Sequence, residues 1–228
     1  MPPVEYVIIA AAGRGKRLGR GMPKCLVPVN GIPVINYLLF LVRDIPSVRL
    51  VIGYCEDDVI RHVRGIKRDV IFVRNPNFRH TTTLQSFFLA GRGLDSPVLC
   101  VDGDMIIEQN SFAAFLAQCG EKTLVGVSSE ISEDPVYAYT EGQGESLSVT
   151  GFGRERPATY EWANMALIPP SWLAFEQTHF YEKLEHYLPL AAVPIRRVEI
   201  DTPPDLAAAN ALLQQDAAYC PHIGALQA

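Results

Sequence analysis

The sequence has no apolar run long enough to cross a membrane, and its few cysteines form no framework. The longest apolar stretch, Val34 to Val42, is well short of the ~18 residues of a membrane span and contains Asn36. The five cysteines are odd in number and widely scattered: Cys25, Cys55, Cys100, Cys119 and Cys220. They indicate buried thiols in a reducing compartment rather than disulfides or a zinc site. We therefore expect no membrane partner and a cytoplasmic location.

The composition also argues against nucleic-acid binding and secretion. The chain carries a formal net charge of −5 over 228 residues, which predicts no nucleic-acid partner. Its first residues, Met1 to Glu5, lack the basic start of a secretory leader. With 48% hydrophobic and 20% charged residues, and without an internal repeat, a low-complexity segment or a dividing linker, residues 1–228 are expected to form a single domain.

One segment departs from the acidic background. An apolar, β-branched run at Val7–Ile9 predicts a buried strand, and three alanines lead from it into a loop that contains Gly13 and Gly15. Because these glycines have no side chain, successive backbone N–H groups can approach an anion. Five cations lie in or beside the loop: Arg14, Lys16, Arg17, Arg20 and Lys24. A basic island at a strand end in an acidic protein predicts a triphosphate-binding site.

Two common glycine-rich loops do not fit this segment. Leu18 stands where a dinucleotide-binding fingerprint has its third glycine, and residues 33–38 supply no acid for the ribose, which argues against an NAD-dependent dehydrogenase. A Walker loop requires a hydroxyl residue after Gly-Lys, but Arg17 follows Lys16. A glycine turn with solvated basic residues is the structural alternative.

The spacing of five residues carries a family resemblance. Gly13, Gly15, Arg17, Pro23 and Lys24 give G-x-G-x-R followed by Pro-Lys. This pattern resembles the signature of the nucleoside-triphosphate transferase superfamily, and the short loop resembles that of small phosphocholine-cytidylyltransferase-like and sugar-phosphate nucleotidyltransferases. The resemblance implies that Arg17 and Lys24 are catalytic. It also implies that the nucleotide lies on a set of loop residues: Ala10, Ala11, Ala12, Gly13, Arg14, Gly15 and Lys16.

Strand and helix signals alternate along the first half of the chain. Short apolar runs predict strands at residues 48–54, 70–74, 98–101 and 123–127. Helix-length segments lie between them at residues 34–43, 57–64, 82–90 and 111–118. The alternation predicts an α/β fold with a doubly wound, mostly parallel sheet, and the resemblance implies the nucleotide-diphospho-sugar transferase-like form of it.

The pattern changes in the second half. Residues 134–140, 146–150 and 163–168 predict further strands, the first two antiparallel. We therefore expect a nucleotide-binding core at 1–127, a β-rich excursion at 128–170 on the acceptor side, and a return to the core at 171–216. In relatives of this kind, such an excursion forms a wall over the acceptor substrate.

Acidic residues follow the strand at 98–101. Asp102 and Asp104 are expected to face the same crevice as the glycine loop, because ligands of such sheets collect at the carboxyl ends of the strands. The resemblance implies that Asp104 is a Mg²⁺ ligand, and Asp102 is expected near the metal or the ribose. A plain Asp-Gly turn is the structural alternative.

A second acidic segment lies near the end of the chain. Glu199-Ile200-Asp201-Thr202-Pro203-Pro204-Asp205-Leu206 resembles the closing segment of many small superfamily members. Alternation predicts that Glu199 and Asp201 share one face of a strand, where two acids repel unless a cation lies between them. We expect Asp201, and with less support Glu199, to bind Mg²⁺. Thr202 is also suited to cap a helix that starts at Pro203.

Two weaker sets complete the candidate site. Thr83, Gln85 and Ser86 are expected near the base and ribose, although capping of a helix by a threonine at 82 or 83 is an alternative. Four residues are expected at the acceptor, with ordinary packing as the alternative: Arg156, Glu161, Trp162 and Asn164. Aromatic rings mixed with acids at 160–162 and 180–182 favour a cationic head group.

These features together predict transfer of a nucleoside monophosphate. We expect a nucleoside triphosphate (CTP favoured over UTP or GTP), Mg²⁺, and a small acceptor carrying a phosphate or phosphonate, such as a phospho-alcohol, an aminoalkyl phosphonate or a sugar 1-phosphate. A molybdenum-cofactor nucleotidyltransferase and a catalytically inactive nucleotide or sugar-phosphate sensor remain alternatives. The base, the acceptor and the oligomeric state stay open, because a fold does not determine a substrate.

Overall fold

The computed structural model describes residues 4–120 and 122–219. Short apolar segments form the strands that the sequence predicts, together with additional short ones. The strands are β1 Tyr6–Ala10, β2 Pro28–Val29, β3 Ile32–Pro33, β4 Ser47–Ile52, β5 Ile71–Arg74, β6 Val98–Asp102, β7 Met105–Ile107, β8 Leu124–Ser128, β9 Tyr137–Glu141, β10 Ser148–Gly153, β11 Tyr160–Ile168, β12 Leu190–Pro194 and β13 Arg197–Glu199.

The helices lie mostly where the sequence predicts them. They are α1 Val34–Leu41, α2 Glu56–Arg64, α3 Thr83–Gly91, α4 Gln109–Gln118, α5 Phe180–Leu184 and α6 Pro203–Gln215. In residues 4–120 and 122–219, no helix combines the length and the apolar character needed to cross a membrane.

Nine of the described strands form one sheet, in the order β5-β4-β1-β6-β11-β8-β12-β10-β9. The first four are parallel neighbours, as strands connected by helices should be. The rest of the sheet is mixed: β11 runs antiparallel to both β6 and β8, and β9 pairs antiparallel with β10. The predicted α/β fold with a β-rich second half is confirmed.

The core covers both faces of this sheet. Val7 and Ile9 belong to a buried cluster that includes residues of α1, α2 and α4. Ile8, which points the opposite way, belongs to a second cluster with residues of α3 and α5. A third cluster joins α6 to the β2–β3 hairpin and includes Leu18 of the glycine loop. Helices on both faces are what a doubly wound sheet requires.

Two local expectations need correction. Alternation places Asp201 on a strand with Glu199, but β13 ends at Glu199. One cysteine, Cys55, is exposed and not buried as expected; it is the N-cap residue of α2 and has a left-handed backbone conformation. Cys220 and residues 1–3, considered above for a leader, lie outside the described residues.

Candidate active site

The glycine loop and the Asp102 segment leave neighbouring parallel strands at the same edge of the sheet. Ala10 at the end of β1 is in register with Asp102 at the end of β6. The N–H of Gly103 donates a hydrogen bond to the Ala10 carbonyl oxygen at 2.9 Å. A Cβ at Gly103 would lie 2.7 Å from that oxygen, so only glycine allows the two segments to approach this closely.

The glycine loop is shaped by one glycine and one buried leucine. Gly15 has a φ of +59°, and a Cβ there would lie 3.0 Å from the Cβ of Lys24. The glycine therefore lets the loop fold back against the residue that closes it. Leu18, at the position where a dinucleotide fingerprint has glycine, is 5% exposed and packs into the third core cluster. The loop is thus held at Leu18 while its basic side chains stay accessible.

A pocket of about 140 Å³ lies between this loop and the start of α3. Seven of the predicted nucleotide-binding residues line it: Ala10, Ala11, Ala12, Gly13, Thr83, Ser86 and Asp102. Phe78 and Thr81, which are not among the predicted contacts, also line it. With Lys24 and Cys25, which also line it, the pocket brings together residues from four separate parts of the chain. Their contact with a nucleotide stays a prediction.

Gln85, predicted to lie near the base and ribose, caps α3 in the structure. Thr82 is the N-cap residue of α3, and its backbone N–H donates to Gln85 Oε1 at 2.9 Å. Gln85 is 4% exposed and does not line the pocket. The helix-cap alternative explains this residue. Ser86 does line the pocket, and its Oγ accepts a hydrogen bond from Asn75 Nδ2 at 3.0 Å.

Three carboxylates meet beside the pocket. Asp104, Glu199 and Asp201 each offer an oxygen, and these oxygens lie within 4.8 Å of one another. A short antiparallel pairing of β7 with β13 produces this cluster, since it sets Met105 opposite Glu199. The Ile200 N–H, which donates to the Asp104 carbonyl oxygen at 3.0 Å, extends the pairing. The predicted metal ligands, which are distant in sequence, are therefore neighbours in space.

Two basic residues of the glycine loop reach this cluster. Lys24 Nζ lies 2.5 Å from Asp104 Oδ2 and also contacts Asp201 Oδ1. Arg17 Nη2 lies 2.8 Å from Asp201 Oδ2. The Lys24 side chain is 12% exposed, whereas the Arg17 side chain is 59% exposed. The two predicted catalytic residues therefore lie at the predicted metal ligands, one buried and one open to solvent.

Burial and mutual repulsion shift the pKa values of the acids in and beside the cluster. Burial, followed by repulsion from Asp104, raises the pKa of Glu199 to about 8. The same two causes raise the pKa of Asp102 well above its usual range. Burial opposes a charge on Lys24, but the carboxylates of Asp104 and Asp201 outweigh it and raise the pKa of Lys24 above its ordinary value. The cluster therefore favours a second positive charge.

The donor set fits a hard divalent cation. Asp104 Oδ1 is buried and has no hydrogen-bond partner among the described residues. This oxygen is therefore available to bind a cation. All three side chains offer carboxylate oxygens, which Mg²⁺ prefers, and they leave room for waters and phosphate oxygens in its octahedral shell. Asp104, Asp201 and Glu199 would hold the ion.

A larger cavity, about 520 Å³ in volume, lies next to the cluster. Asp102 lines both this cavity and the smaller pocket, so the two spaces meet beside the carboxylates. Arg17, Glu199 and Asp201 also line the larger cavity. Its other acids are Glu130, Glu133, Asp134, Glu161 and Asp205. Two spaces that meet beside the carboxylate cluster suit a reaction between two bound molecules.

Arg154 lines this cavity together with Arg17 and Arg197, and the predicted Arg156 does not. Arg156 is exposed, and its guanidinium carbon lies 4.3 Å from the centre of the Tyr139 ring. Arg154 lines the cavity, where its Nη1 lies 2.7 Å from Asp134 Oδ1. Both residues follow β10, and the sequence carries no signal that distinguishes them.

Two further acceptor candidates, Glu161 and Trp162, mainly support the cavity wall. Glu161 is buried and pairs with Arg197 at 3.0 Å, while its oxygens accept hydrogen bonds from the backbone and hydroxyl of Ser132. Trp162 is 3% exposed, and its ring meets Phe152 edge to face. Both residues line the cavity, but packing and internal pairing account for most of their contacts. Acceptor contact by either one stays a prediction.

The Asn164 side chain points toward the carboxylate cluster of Asp104, Glu199 and Asp201. The pairing of β11 with β8 shifts register between Trp162 and Ala166, and Asn164 in this bulge has a φ of +52°. Its Nδ2 donates to Glu199 Oε2 at 3.1 Å. Arg197, which no sequence pattern predicts at the site, approaches the same oxygen at 3.5 Å and is 2% exposed. Asn164 and Arg197 therefore hold the third carboxylate in place.

The family model of the MobA-like NTP transferase domain matches residues 7–162. This range includes the glycine loop, Asp104 and part of the cavity wall, but not Glu199 or Asp201. The chain belongs to this family. The inositol-1-phosphate CTP transferase from T. maritima has a similar fold, with a TM-score of 0.75 at 17% identity over 93% of this chain and 96% of that one.

Curated relatives match over part of their length. The chain is 28% identical over 134 residues to the bifunctional protein GlmU of Nitrosomonas europaea. These 134 residues cover 58% of this chain and 29% of that protein. It is 33% identical over 114 residues to the CMP-5'-(3-aminopropyl)phosphonate synthase of Streptomyces rubellomurinus. These 114 residues cover 46% of this chain and 18% of that protein. The matched part is thus less than a third of either relative.

Proposed function

We propose that the chain is a nucleotidyltransferase that moves a nucleoside monophosphate from a nucleoside triphosphate to a small acceptor bearing a phosphate or phosphonate, with release of pyrophosphate. One observation carries this proposal: the Asp104, Glu199 and Asp201 carboxylates lie with Lys24 where the loop pocket and the larger cavity meet. A donor in the pocket and an acceptor in the cavity would react at that point.

The loop is the place for the triphosphate. We place the phosphates on the backbone N–H groups at 12–15, because the Ala11 N–H already donates to the Val51 carbonyl oxygen at 2.9 Å. Arg14 and Lys16 add positive charge beside them. The base then lies in the small pocket against Phe78 and Ser86. In this orientation the α-phosphate comes to the carboxylate cluster, because Lys24 reaches both the pocket and Asp104.

Mg²⁺ is the proposed cofactor, held by Asp104 and Asp201 with Glu199 as the third ligand. When bound, it neutralises charge on the phosphate oxygens that surround the reacting phosphorus. Glu199 is kept in place by Asn164 and Arg197, so the protein orients this ligand before any ion arrives.

The reaction itself needs little more than positioning and positive charge. An acceptor oxygen attacks the α-phosphorus in line, a new P–O bond forms, and the bond from the α-phosphorus to the bridging oxygen breaks with pyrophosphate as the leaving group. A general base is not required, since a phosphate monoester is mostly ionised at neutral pH (second pKa near ~6). Lys24 stabilises charge at the α-phosphate, and Arg17 stabilises the departing pyrophosphate.

CTP is the favoured donor, and an acceptor with a cationic head group is the favoured partner. The relatives named above include a CTP transferase and a CMP-aminopropylphosphonate synthase, which supports both choices. Of the residues that line the cavity, Glu130 and Glu133 lie where an ammonium group on the acceptor would find negative charge. The guanidinium of Arg154 offers positive charge to the phosphate or phosphonate of the acceptor.

The test is pyrophosphate release in the presence of Mg²⁺. CTP, UTP, GTP and ATP are each paired with phosphocholine, 2-aminoethylphosphonate, inositol phosphate and sugar 1-phosphates. We expect release that depends on one pair and falls on the order of 10²-fold or more in Lys24→Met. The matched control is Lys183→Met, since Lys183 is 15% exposed and pairs with Glu176 at 3.0 Å.

Each other outcome has a defined meaning. Release only with a molybdopterin acceptor places the chain in the molybdenum-cofactor branch of the same chemistry and contradicts the proposed acceptor. Nucleotide binding without release for any acceptor, molybdopterin included, indicates a sensor and contradicts the proposed reaction. Failure to bind any nucleotide contradicts the assignment of the loop.

A further inference from the structure

Tyr54 contacts the glycine loop at three points. Its backbone N–H donates a hydrogen bond to the Ala12 carbonyl oxygen at 3.1 Å. Its hydroxyl donates to the Gly21 carbonyl oxygen at 3.1 Å. The guanidinium carbon of Arg14 lies 5.0 Å from the centre of the Tyr54 ring, within the range of a cation–π interaction. Tyr54, which follows β4, therefore contacts the start of the loop at Ala12, its first cation, Arg14, and its end at Gly21.

The residue before Tyr54 connects the same segment to the opposite wall of the pocket. Gly53 faces Phe78 so closely that a Cβ at Gly53 would lie 2.8 Å from the Phe78 ring. The rings of Tyr54 and Phe78 lie 6.3 Å apart, centre to centre. Since Phe78 lines the small pocket, Gly53 and Tyr54 join the base side and the phosphate side of the proposed nucleotide site.

The end of the loop depends on this contact. Leu18 is buried, but Gly19 and Gly21 that follow it have positive φ angles of 67°. A Cβ at either glycine would meet no described atom within 4 Å. Glycines in open space lose order easily because many backbone conformations are accessible to them. The segment is also held by the Gly19 N–H, which donates to the Lys16 carbonyl oxygen at 3.3 Å, and by Met22, which packs against the core. The bond from Tyr54 to Gly21 restrains the glycines between these two points.

We propose that Tyr54 is a positioning residue for the triphosphate, acting through the glycine loop. Its hydroxyl fixes residues 19–21, and its ring fixes the direction of the Arg14 guanidinium. The inference rests on the proposed function, because it takes the loop as the triphosphate site. Loss of one hydrogen bond predicts about a fivefold weaker binding of the nucleotide, and loss of the ring as well predicts about 20-fold.

The first test needs no ligand. The loop contains four trypsin sites, at Arg14, Lys16, Arg17 and Arg20. We expect Tyr54→Phe to raise the initial rate of cleavage in the loop about fivefold, with the cut mapped by mass spectrometry, and Tyr54→Leu to raise it further. The matched control is Tyr6→Phe, since Tyr6 donates to Asp95 at 3.5 Å and lies at the opposite end of β1.

The second test measures CTP binding and turnover in the presence of Mg²⁺. Tyr54→Phe is expected to raise the Kd and KM for CTP about fivefold while kcat stays within about twofold, because the reacting groups are intact. Cleavage rates that match those of wild type and Tyr6→Phe overturn the inference. Faster cleavage with an unchanged Kd for CTP overturns the positioning role. A wild-type protein that binds no nucleotide contradicts the proposed function instead, and faster loop cleavage in Tyr54→Phe still establishes the loop contact.

Discussion

Replacement of Lys24 by methionine should convert the carboxylate cluster into a stronger cation site. In the wild-type structure the Lys24 ammonium already lies between Asp104 and Asp201, so an entering divalent cation competes with it. Methionine keeps most of the side-chain volume but removes the charge. We therefore expect Lys24→Met to be less stable than wild type without metal and to bind Mn²⁺ or Mg²⁺ more tightly.

The magnitude follows from the burial of the ion pairs. Lys24 is 12% exposed, and Asp104 and Asp201 are 20% and 23% exposed, so solvent screens their attraction only in part. Removing one partner of a buried ion pair costs about 3–5 kcal/mol, and this partly exposed network should lose about 3 kcal/mol. A divalent cation that no longer displaces an ammonium should recover at least half of that, which is about a tenfold lower Kd.

The assay combines urea unfolding and calorimetric titration. Unfolding in EDTA gives the loss of stability, and Mn²⁺ titration gives the Kd of the cation for wild type, Lys24→Met and Lys183→Met. Lys183→Met also loses a partly buried ion pair, but far from the cluster in sequence and contacts, and should bind Mn²⁺ as wild type does. Equal or weaker binding of Mn²⁺ by Lys24→Met would refute the competition between the ammonium and the metal.

Three other substitutions test separate parts of the site. Asp201→Asn should lower turnover on the order of 10²-fold and weaken Mn²⁺ binding, measured by pyrophosphate release and calorimetry, because it removes a charged ligand; unchanged Mn²⁺ affinity would exclude Asp201 as a ligand. Gly53→Ala should raise the Kd for CTP about tenfold in equilibrium titration, since the added methyl group forces Phe78 toward the pocket; a wild-type Kd would show that Phe78 is no wall of the base site. Arg197→Met should lower the free energy of unfolding by about 3–5 kcal/mol in urea, because Glu161 stays buried without its partner, and a loss below about 1 kcal/mol would contradict that account.

The sequence predicts the parts of the site whose chemistry is local. Gly13, Gly15 and Arg17 lie in one loop at a strand end, so their spacing alone indicates an anion site. Asp104 and Asp201 each follow a short apolar run, and both were expected at the same cation. The structure brings them within reach of each other through the β7–β13 pairing. No local sequence pattern predicts this pairing, because each of the two strands has only three residues.

The parts that the sequence does not predict depend on long-range packing. Arg197 follows another arginine, and only its burial against Glu161 shows that it holds Glu199 in place. Gln85 suits a position near the base as well as that of a capping residue, and only the structure shows that its Oε1 accepts a hydrogen bond from the Thr82 N–H.

The most direct test of the central claim is the position of the bond that breaks in the nucleoside triphosphate. Phosphorus-31 NMR of the complete reaction with Mg²⁺ and the active donor–acceptor pair reports this position without a coupled enzyme. The account predicts pyrophosphate together with a product whose nucleotide α-phosphorus is coupled to the acceptor phosphorus. Inorganic phosphate with a nucleoside diphosphate, or a free nucleoside monophosphate with an unchanged acceptor, would contradict it.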